Sequence, residues 1–244
     1  MEEVSRPNVW VAFPSANPER ACETLLKWTA MWYRHAVLLN HGDGTTGEGM
    51  GATGADVEVK HVPYCGFYAA GNYLSALLVE KHGADVVVCA NDDIDPDPKK
   101  DAWTIAEECR AHAGSDLWIC QPSGDRQGWI ADKKHPEGGT AAADRICGSP
   151  WFSAEYIRRG YNGTGPWPSY YHHFAGDVEA SAVYERLGLL WRRRDLTHFH
   201  RHWSWKHTKK EDYQTATQSH WKKDHLIYDE RAKAGFPGSD LAPA

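Results

Sequence analysis

The chain has 244 residues, 41% hydrophobic and 25% charged, and a formal net charge of −6. That composition excludes a disordered or fibrous chain, and the length fits one large α/β domain. No apolar run approaches the ~18 to 20 residues that span a bilayer, and the acidic start MEEVSRPNVW is unlike a basic, apolar leader, so a soluble cytoplasmic protein with no membrane association is expected.

NVWVAFPSANP predicts a short buried strand ending in a Pro/Ser/Asn turn, and ERACETLLKWTAMWYRH, with apolar residues at helical spacing, predicts the helix after it. AVLLN supplies a second strand and completes a β-α-β unit. Its ligand loops belong at the carboxyl ends of its strands, here Pro14 to Asn17 and Asn40 to Asp43. GDGTTGEGMGATGAD predicts a loop without the spacing of a phosphate-binding glycine motif. VEVKHV predicts a third strand, FYAAGNYLSALLVEKHG a helix closed by Gly83, and ADVVVCA a fully buried strand. Directly after it comes NDDIDPDP, a polar cluster in which prolines stop regular structure.

KKDAWTIAEECRAHA and DLWICQP extend the alternation, so a mixed sheet is expected, and GDRQGWIADKKHPEGGT reads as a long loop. Beyond it, GSPWFSAEYIRRGYNGTGPWPSYYHH is dense in aromatics, Gly and Pro, whereas GDVEASAVYERLG regains helical periodicity. EDYQTATQSHWKKDHLIYDERAKAGF predicts a largely polar helix ending at Gly235. From Arg192 to Lys223 nine Lys or Arg stand against three Asp or Glu, with six histidines between His198 and His225, so this end is basic and aromatic. Six cysteines without a C-x-x-C pair predict free, mostly buried thiols.

Several groups are candidates for chemistry. Asn91, Asp92 and Asp93 gather negative charge at the end of a buried strand, which a divalent cation and a diphosphate would make tolerable; a plain Asp/Asn-rich turn gives the same string. Asp177 opens a helix, where the dipole favours its ionised form and where an aspartate also serves as a cap. In DLTHFHRHW, His198, His200 and His202 alternate, so on one strand all three would face one side, to chelate a metal or to bond backbone or phosphate. Trp151 offers an aromatic face to a sugar or base, or a side chain to the core.

In this order the features resemble GT-A glycosyltransferases, in particular the large family that includes cellulose- and hyaluronan-synthase-like enzymes, over roughly residues 8 to 203. The resemblance implies an α/β fold: a single GT-A (nucleotide-diphospho-sugar transferase, Rossmann-like) domain over residues 1–244 with a mixed central sheet. About 8–100 would bind the nucleotide sugar, about 101–205 would bind the acceptor and carry catalysis, and 206–244 would form a C-terminal helical extension.

Residue by residue, the resemblance implies that Pro14, Ser15 and Asp43 cradle the nucleotide and that Gly66 and Asn72 in GFYAAGNYLSA belong to the donor site. VVVCANDD matches the strand that ends in a D-x-D motif, with Asn91 in place of the first Asp. Asn91 is then assigned to the nucleoside, Asp92 to the sugar or the fold, and Asp93 to a Mn²⁺ or Mg²⁺ ion that His200 and His202 complete. Trp151 stands where the family makes its sugar and acceptor contacts. FAGDVEASAVYERLG matches the helix that opens with an E-D pair, which makes Asp177 the catalytic base, Glu179 the second candidate, and Gly176 a departure from the Glu.

The implied reaction is an inverting transfer from a nucleoside-diphosphate sugar, with a UDP-sugar favoured, to an acceptor hydroxyl. The ending HFHRHW to HWKKDHLIYDERAKAGFPGS is similar to small phage-encoded glycosyltransferase-like proteins, some of them associated with glycosylation of hydroxymethylated pyrimidines. That similarity implies DNA carrying a modified base as the acceptor and the host cytoplasm as the location. A soluble glycan or polysaccharide precursor is the alternative acceptor. The alternative classes are a nucleotidyltransferase and a non-catalytic nucleotide-sugar-binding protein, the latter favoured by the missing acids at positions 91 and 176.

Overall fold

Strand β1 (Val9–Ser15) shows how the layers are built. Val9, Val11 and Phe13 face one core and Trp10 and Ala12 the other, because side chains alternate along a strand and this one is covered on both faces. The computed structural model describes residues 6–39, 57–61, 65–124, 146–201, 215 and 217–243. The expected loops at 42–56 and 124–140 therefore lie outside the described residues, apart from Gly124.

Six further strands join β1: β2 (Arg34–Leu39), β3 (Val57–His61), β4 (Val86–Cys89), β6 (Ile119–Pro122), β7 (Trp151–Ser153) and β8 (Leu190–Arg193). The order is β3-β2-β1-β4-β7-β6-β8. The first four run parallel, β7 lies antiparallel between β4 and β6, and β8 runs parallel to β6. The result is the mixed sheet expected of a nucleotide-diphospho-sugar transferase domain. Two short strands, β5 (Ile94–Asp95) and β9 (Phe199–His200), pair antiparallel as a separate ribbon.

Helices α1 (Pro18–Ala30) and α3 (Ala102–Ala113) cover one face of the sheet, and α2 (Phe67–His82), α4 (Ala154–Gly163) and α5 (Gly176–Arg186) the other. The start of α1 follows from its sequence: Asn17 caps it by accepting the Arg20 N–H at 3.1 Å, and Pro18 occupies the first turn, where a missing N–H costs nothing. Gly83 ends α2 in the left-handed conformation, with φ 61°. Among the described residues no helix is long and apolar enough to cross a membrane. All six cysteines are free thiols, and Cys89, Cys109, Cys120 and Cys147 are buried.

Three elements lie in stretches for which the sequence predicts no strand or helix. β7 and β8 have only three and four residues, and α4 breaks at Gly160, where Tyr161 and Asn162 take positive φ. The last helix, α6 (Trp221–Lys233), follows a 3-10 turn at Gln218–His220, and residues 211–214 and 216 of the expected helix lie outside the described residues. It packs against α5 as a helical extension of the second half.

Candidate functional site at the carboxyl end of the sheet

β4 ends at Cys89 and the chain turns at once. The Ala90 N–H bonds to Ala12 O at 3.1 Å and the Ile94 N–H to Asn91 O at 3.1 Å, which stitches the turn to β1 and closes it on itself. Asp92 points into the protein. Its carboxylate receives Arg20 Nη2 at 2.7 Å and Ser15 Oγ at 2.5 Å, while Thr24 Oγ1 donates to its carbonyl at 2.7 Å. Asp92 is 3% exposed; burial raises its pKa, against the nearby Arg20 charge that lowers it. Ser15 and Asp92, expected at the nucleotide sugar or, for Asp92, in the fold, use these polar atoms to anchor the turn. Pro14 is buried beside them at the end of β1.

Asp93 takes the opposite course. Ribbon β5-β9 places Ile94 opposite His200, and this register brings His200 Nε2 to 3.3 Å from Asp93 Oδ2. The Arg201 N–H donates to Asp93 O at 2.7 Å, and its guanidinium reaches Thr24 Oγ1 at 2.6 Å and Asp95 Oδ1 at 3.2 Å, so β9 clamps the turn from its open side. Asn91 keeps a shielded Oδ1 that has no hydrogen-bond partner among the described residues, an acceptor that a ligand donor would satisfy.

The histidine row does not share one side. His198 is buried between Trp28 and Trp151: Trp151 Nε1 donates to His198 Nε2 at 3.2 Å, and His198 Nδ1 therefore donates to Ser149 Oγ at 2.9 Å. With both ring nitrogens used, His198 has no lone pair for a metal. Burial lowers its pKa to about 3. His202 and Asp43 lie outside the described residues. Trp151, for which the sequence left a sugar contact and the core both open, is 0% exposed; Trp167 is likewise buried, its Nε1 on Cys89 Sγ at 3.3 Å. Asn72, expected at the donor site, grips the backbone of Trp167 with both ends of its amide, at 3.0 and 2.9 Å, and so holds that loop.

Asp177 sits in the first turn of α5, two residues after the N-cap Ala175, whose φ of 64° is a strained backbone value for a residue with a Cβ. Buried Asp224 of α6 holds the approach to that turn by accepting the N–H groups of His172, His173 and Phe174 at 3.1, 2.8 and 2.8 Å. Asp177 Oδ1 accepts the Val178 N–H at 3.0 Å, and Tyr68 Oη of α2 accepts the Asp177 N–H at 3.0 Å. Protein around the carboxyl raises its pKa, opposed by these hydrogen bonds and by the charge of His200. Asp93 acts in turn on His173, whose pKa burial lowers to about 4. His200 thus pairs with Asp93 and its charge also acts on Asp177.

Glu179, one turn along, is 0% exposed; Arg231 binds both its oxygens at 2.7 and 2.8 Å, and Tyr171 donates to it at 2.5 Å. It is a tie between α5 and α6, not a base. Sequence reasoning missed Arg20, Thr24, Tyr68, Arg201, Asp224 and Arg231. A signal existed for some of them: Arg20 and Thr24 share the buried stripe of α1 with Ala21, Leu25 and Trp28, and a charge on an apolar stripe implies a buried partner.

Among the described residues no group of three or more His, Cys, Asp or Glu side chains is arranged to hold a metal ion. The protein thus brings together one carboxylate and one imidazole, Asp93 and His200, and the charge of that imidazole acts on the Asp177 carboxyl at the start of α5.

No protein-family model matches the chain, and no curated protein matches it. Among solved structures it is similar to residues 1–349 of TarS from S. aureus in complex with UDP, at 12% identity over 78% of this chain and 59% of that one, with a TM-score of 0.51. A longer TarS structure gives 11% identity, 78% and 36% coverage and a TM-score of 0.50. The chain spans about three-fifths of the shorter TarS structure. At this identity the likeness shows the fold, that of GT-A nucleotide-diphospho-sugar transferases, and no more.

Proposed function

We propose that the protein is a metal-dependent, inverting glycosyltransferase that moves a sugar from a UDP-sugar to an acceptor hydroxyl. The observation that carries this reading is the 3.3 Å approach of His200 to Asp93 at the end of β4, with Asp177 in electrostatic reach. Ligands at the carboxyl ends of parallel strands are the rule for open α/β sheets. TarS, which shares the fold, is described in complex with UDP.

Asp93 and His200 form a donor set that suits Mn²⁺ or Mg²⁺, since such ions bind one or two protein ligands together with phosphate oxygens and water. Bound there, the ion would supply positive charge for the leaving diphosphate. Asn91 Oδ1 is the acceptor left for the nucleoside of the donor. Asp177 takes the proton of the acceptor hydroxyl through its second oxygen, Oδ2, which makes no hydrogen bond among the described residues. One base acting on one acceptor gives a single displacement and inversion.

For the acceptor we propose DNA carrying a hydroxymethylated pyrimidine, the setting being a phage-infected host cytoplasm. The basic, His-rich end supports it, as does Trp221, 50% exposed and stacked on His225 at 4.2 Å beside Phe174, with exposed Lys222 and Lys223 on the same turn. Aromatic faces and cations of this kind suit a polyanion with stackable bases.

The test is thermal stabilisation by a panel of nucleoside-diphosphate sugars with and without Mn²⁺. A UDP-sugar at a hundred times its Kd is expected to add ~2.7 kcal/mol only when the metal is present. No metal-dependent shift with any donor would overturn the reading. Transfer to hydroxymethylated DNA against a soluble glycan then separates the acceptors, and DNA binding that ignores salt would remove the nucleic acid.

A further inference from the structure

We propose that the Tyr68 hydroxyl is the group that orients Asp177 for proton abstraction, reaching from α2 into the space where residue 176 has no side chain. The inference rests on the assignment of Asp177 as the base.

Helix α5 begins without a side-chain cap: Ala175 stands at its N-cap, and the early N–H groups of a helix have no partner within it. Tyr68 supplies that cap from 109 residues away, its Oη accepting the Asp177 N–H at 3.0 Å. The hydroxyl proton then has Asp177 Oδ1 as its near acceptor, at 3.5 Å. One phenol therefore contacts both the backbone and the carboxylate of the same residue. The Val178 N–H occupies Oδ1 from the other side at 3.0 Å, so Oδ1 is fixed and Oδ2 is the oxygen left to take a proton.

The ring is as constrained as the hydroxyl. Tyr68 is buried against Phe67, Trp167 and Tyr171, and a Cβ built on Gly176 would run into the Tyr68 ring. Glycine at 176 is therefore the condition for Tyr68 to reach Asp177, and the absence of an acid there reflects a different support for the base. Burial, and after it the Asp177 charge, pushes the ionisation of Tyr68 well above the ordinary phenol value, which keeps it a protonated donor.

The test compares Tyr68→Phe with the parent protein in sugar transfer, pH profile and thermal melt. Misplacing a base costs up to about 100-fold, so kcat is expected to fall about 10- to 100-fold with donor KM changed less than about twofold. The acidic limb of kcat/KM should move to higher pH, because a donor to the carboxylate has been removed. Gly176→Ala, whose Cβ runs into the Tyr68 ring, should lower both Tm and kcat, whereas Tyr68→Phe, which keeps the ring, should lower kcat with Tm nearly unchanged, which separates the packing of the ring from the work of the hydroxyl. Unchanged kcat in Tyr68→Phe, or a loss with an unmoved acidic limb, overturns the inference. If Tyr68→Phe does not fold, Gly176→Ala serves in its place: a folded Gly176→Ala protein with full kcat overturns the inference, and a folded one with kcat lowered about 10-fold or more and its acidic limb moved to higher pH supports it. A parent protein that transfers no sugar would refute the glycosyltransferase reading instead, whereas an active parent with a dead Asp177→Asn and an unaffected Tyr68→Phe would refute only the role of Tyr68.

Discussion

The turn after β4 and the first turn of α5 each carry two acids close together in sequence, and each directs them in opposite ways. At the turn, Asp92 is buried on Arg20 while Asp93 meets His200; on α5, Glu179 is buried on Arg231 while Asp177 keeps an oxygen open. The histidine row repeats the division, with His198 in the core and His200 at Asp93. The difference lies in where the anchors come from. Arg20 belongs to the helix that follows β1, so the Asp92 turn is secured within the sheet layers. Arg231 and Asp224 belong to α6, so the C-terminal extension is what fixes the segment bearing Asp177. The buried member of each pair sets geometry, and the open member is available for chemistry.

The largest effect should come from the open acids. Asp177→Asn is expected to lower kcat by ~10²- to 10⁴-fold, the range for loss of a general base, with nucleoside-diphosphate binding and melting temperature nearly unchanged. Steady-state transfer kinetics beside a thermal melt would check this. Asp177→Asn with full transfer activity would erase the distinction drawn between Asp177 and Glu179.

The buried members should fail in the opposite manner. Arg231→Met leaves Glu179 as an uncompensated buried charge, and Arg20→Met does the same to Asp92; each is expected to cost ~3–5 kcal/mol of stability. Equilibrium urea unfolding measures the loss, and a second change that removes the stranded acid, Glu179→Leu or Asp92→Leu, should recover most of it. Destabilisation under ~1 kcal/mol in the single Arg variants would mean that these pairs do not anchor the site.

A smaller effect follows from acidification. His198 has a folded pKa near 3 against an unfolded value of ~6.5, so it is neutral when folded and takes up a proton only on unfolding. A depressed histidine contributes stability that is fully present above the unfolded pKa and is lost as pH falls below it. At pH 5 the loss is ~2 kcal/mol, with His173 acting in the same direction. Urea unfolding at pH 7.5 and pH 5 should show it, and His198→Gln, whose amide can still accept from Trp151 and donate to Ser149, should lose ~2 kcal/mol less. An equal pH dependence in both proteins would return His198 to the open class.

How much of this was legible in the sequence depends on the range of the interactions involved. Strands such as VWVAF and VVVC are covered on both faces and read as continuous apolar runs, so the sheet and the turn after β4 were found from local pattern. Asp93 and Asp177 were reached through the order of elements along the chain. Tyr68 and Arg20 were not, because their work is defined by partners 109 and 72 residues away that no local window contains. Trp151 and Asn72 could not be placed from the sequence for the related reason that an indole or an amide suits a ligand and a core equally well. Only the fold decides which it meets, and here the partners are His198 and the Trp167 backbone.

The smallest effect tests the residue that belongs to neither class. Asn91 is half-buried at the turn, neither tied to an arginine nor set against a histidine, and its Oδ1 accepts no hydrogen bond among the described residues. If that oxygen receives a hydroxyl or N–H of the donor's nucleoside, Asn91→Ala removes one hydrogen bond made equally in ground and transition states. Donor KM should rise about 5- to 10-fold, worth ~1 kcal/mol, with kcat unchanged. Asn91→Asp should fare no better, because a carboxylate beside Asp92 and Asp93 adds like charge to a site that already holds two acids. If Asn91→Asp instead strengthens the metal-dependent thermal shift, position 91 belongs with Asp93 among the metal-facing groups, and the division of this turn moves one residue toward its start.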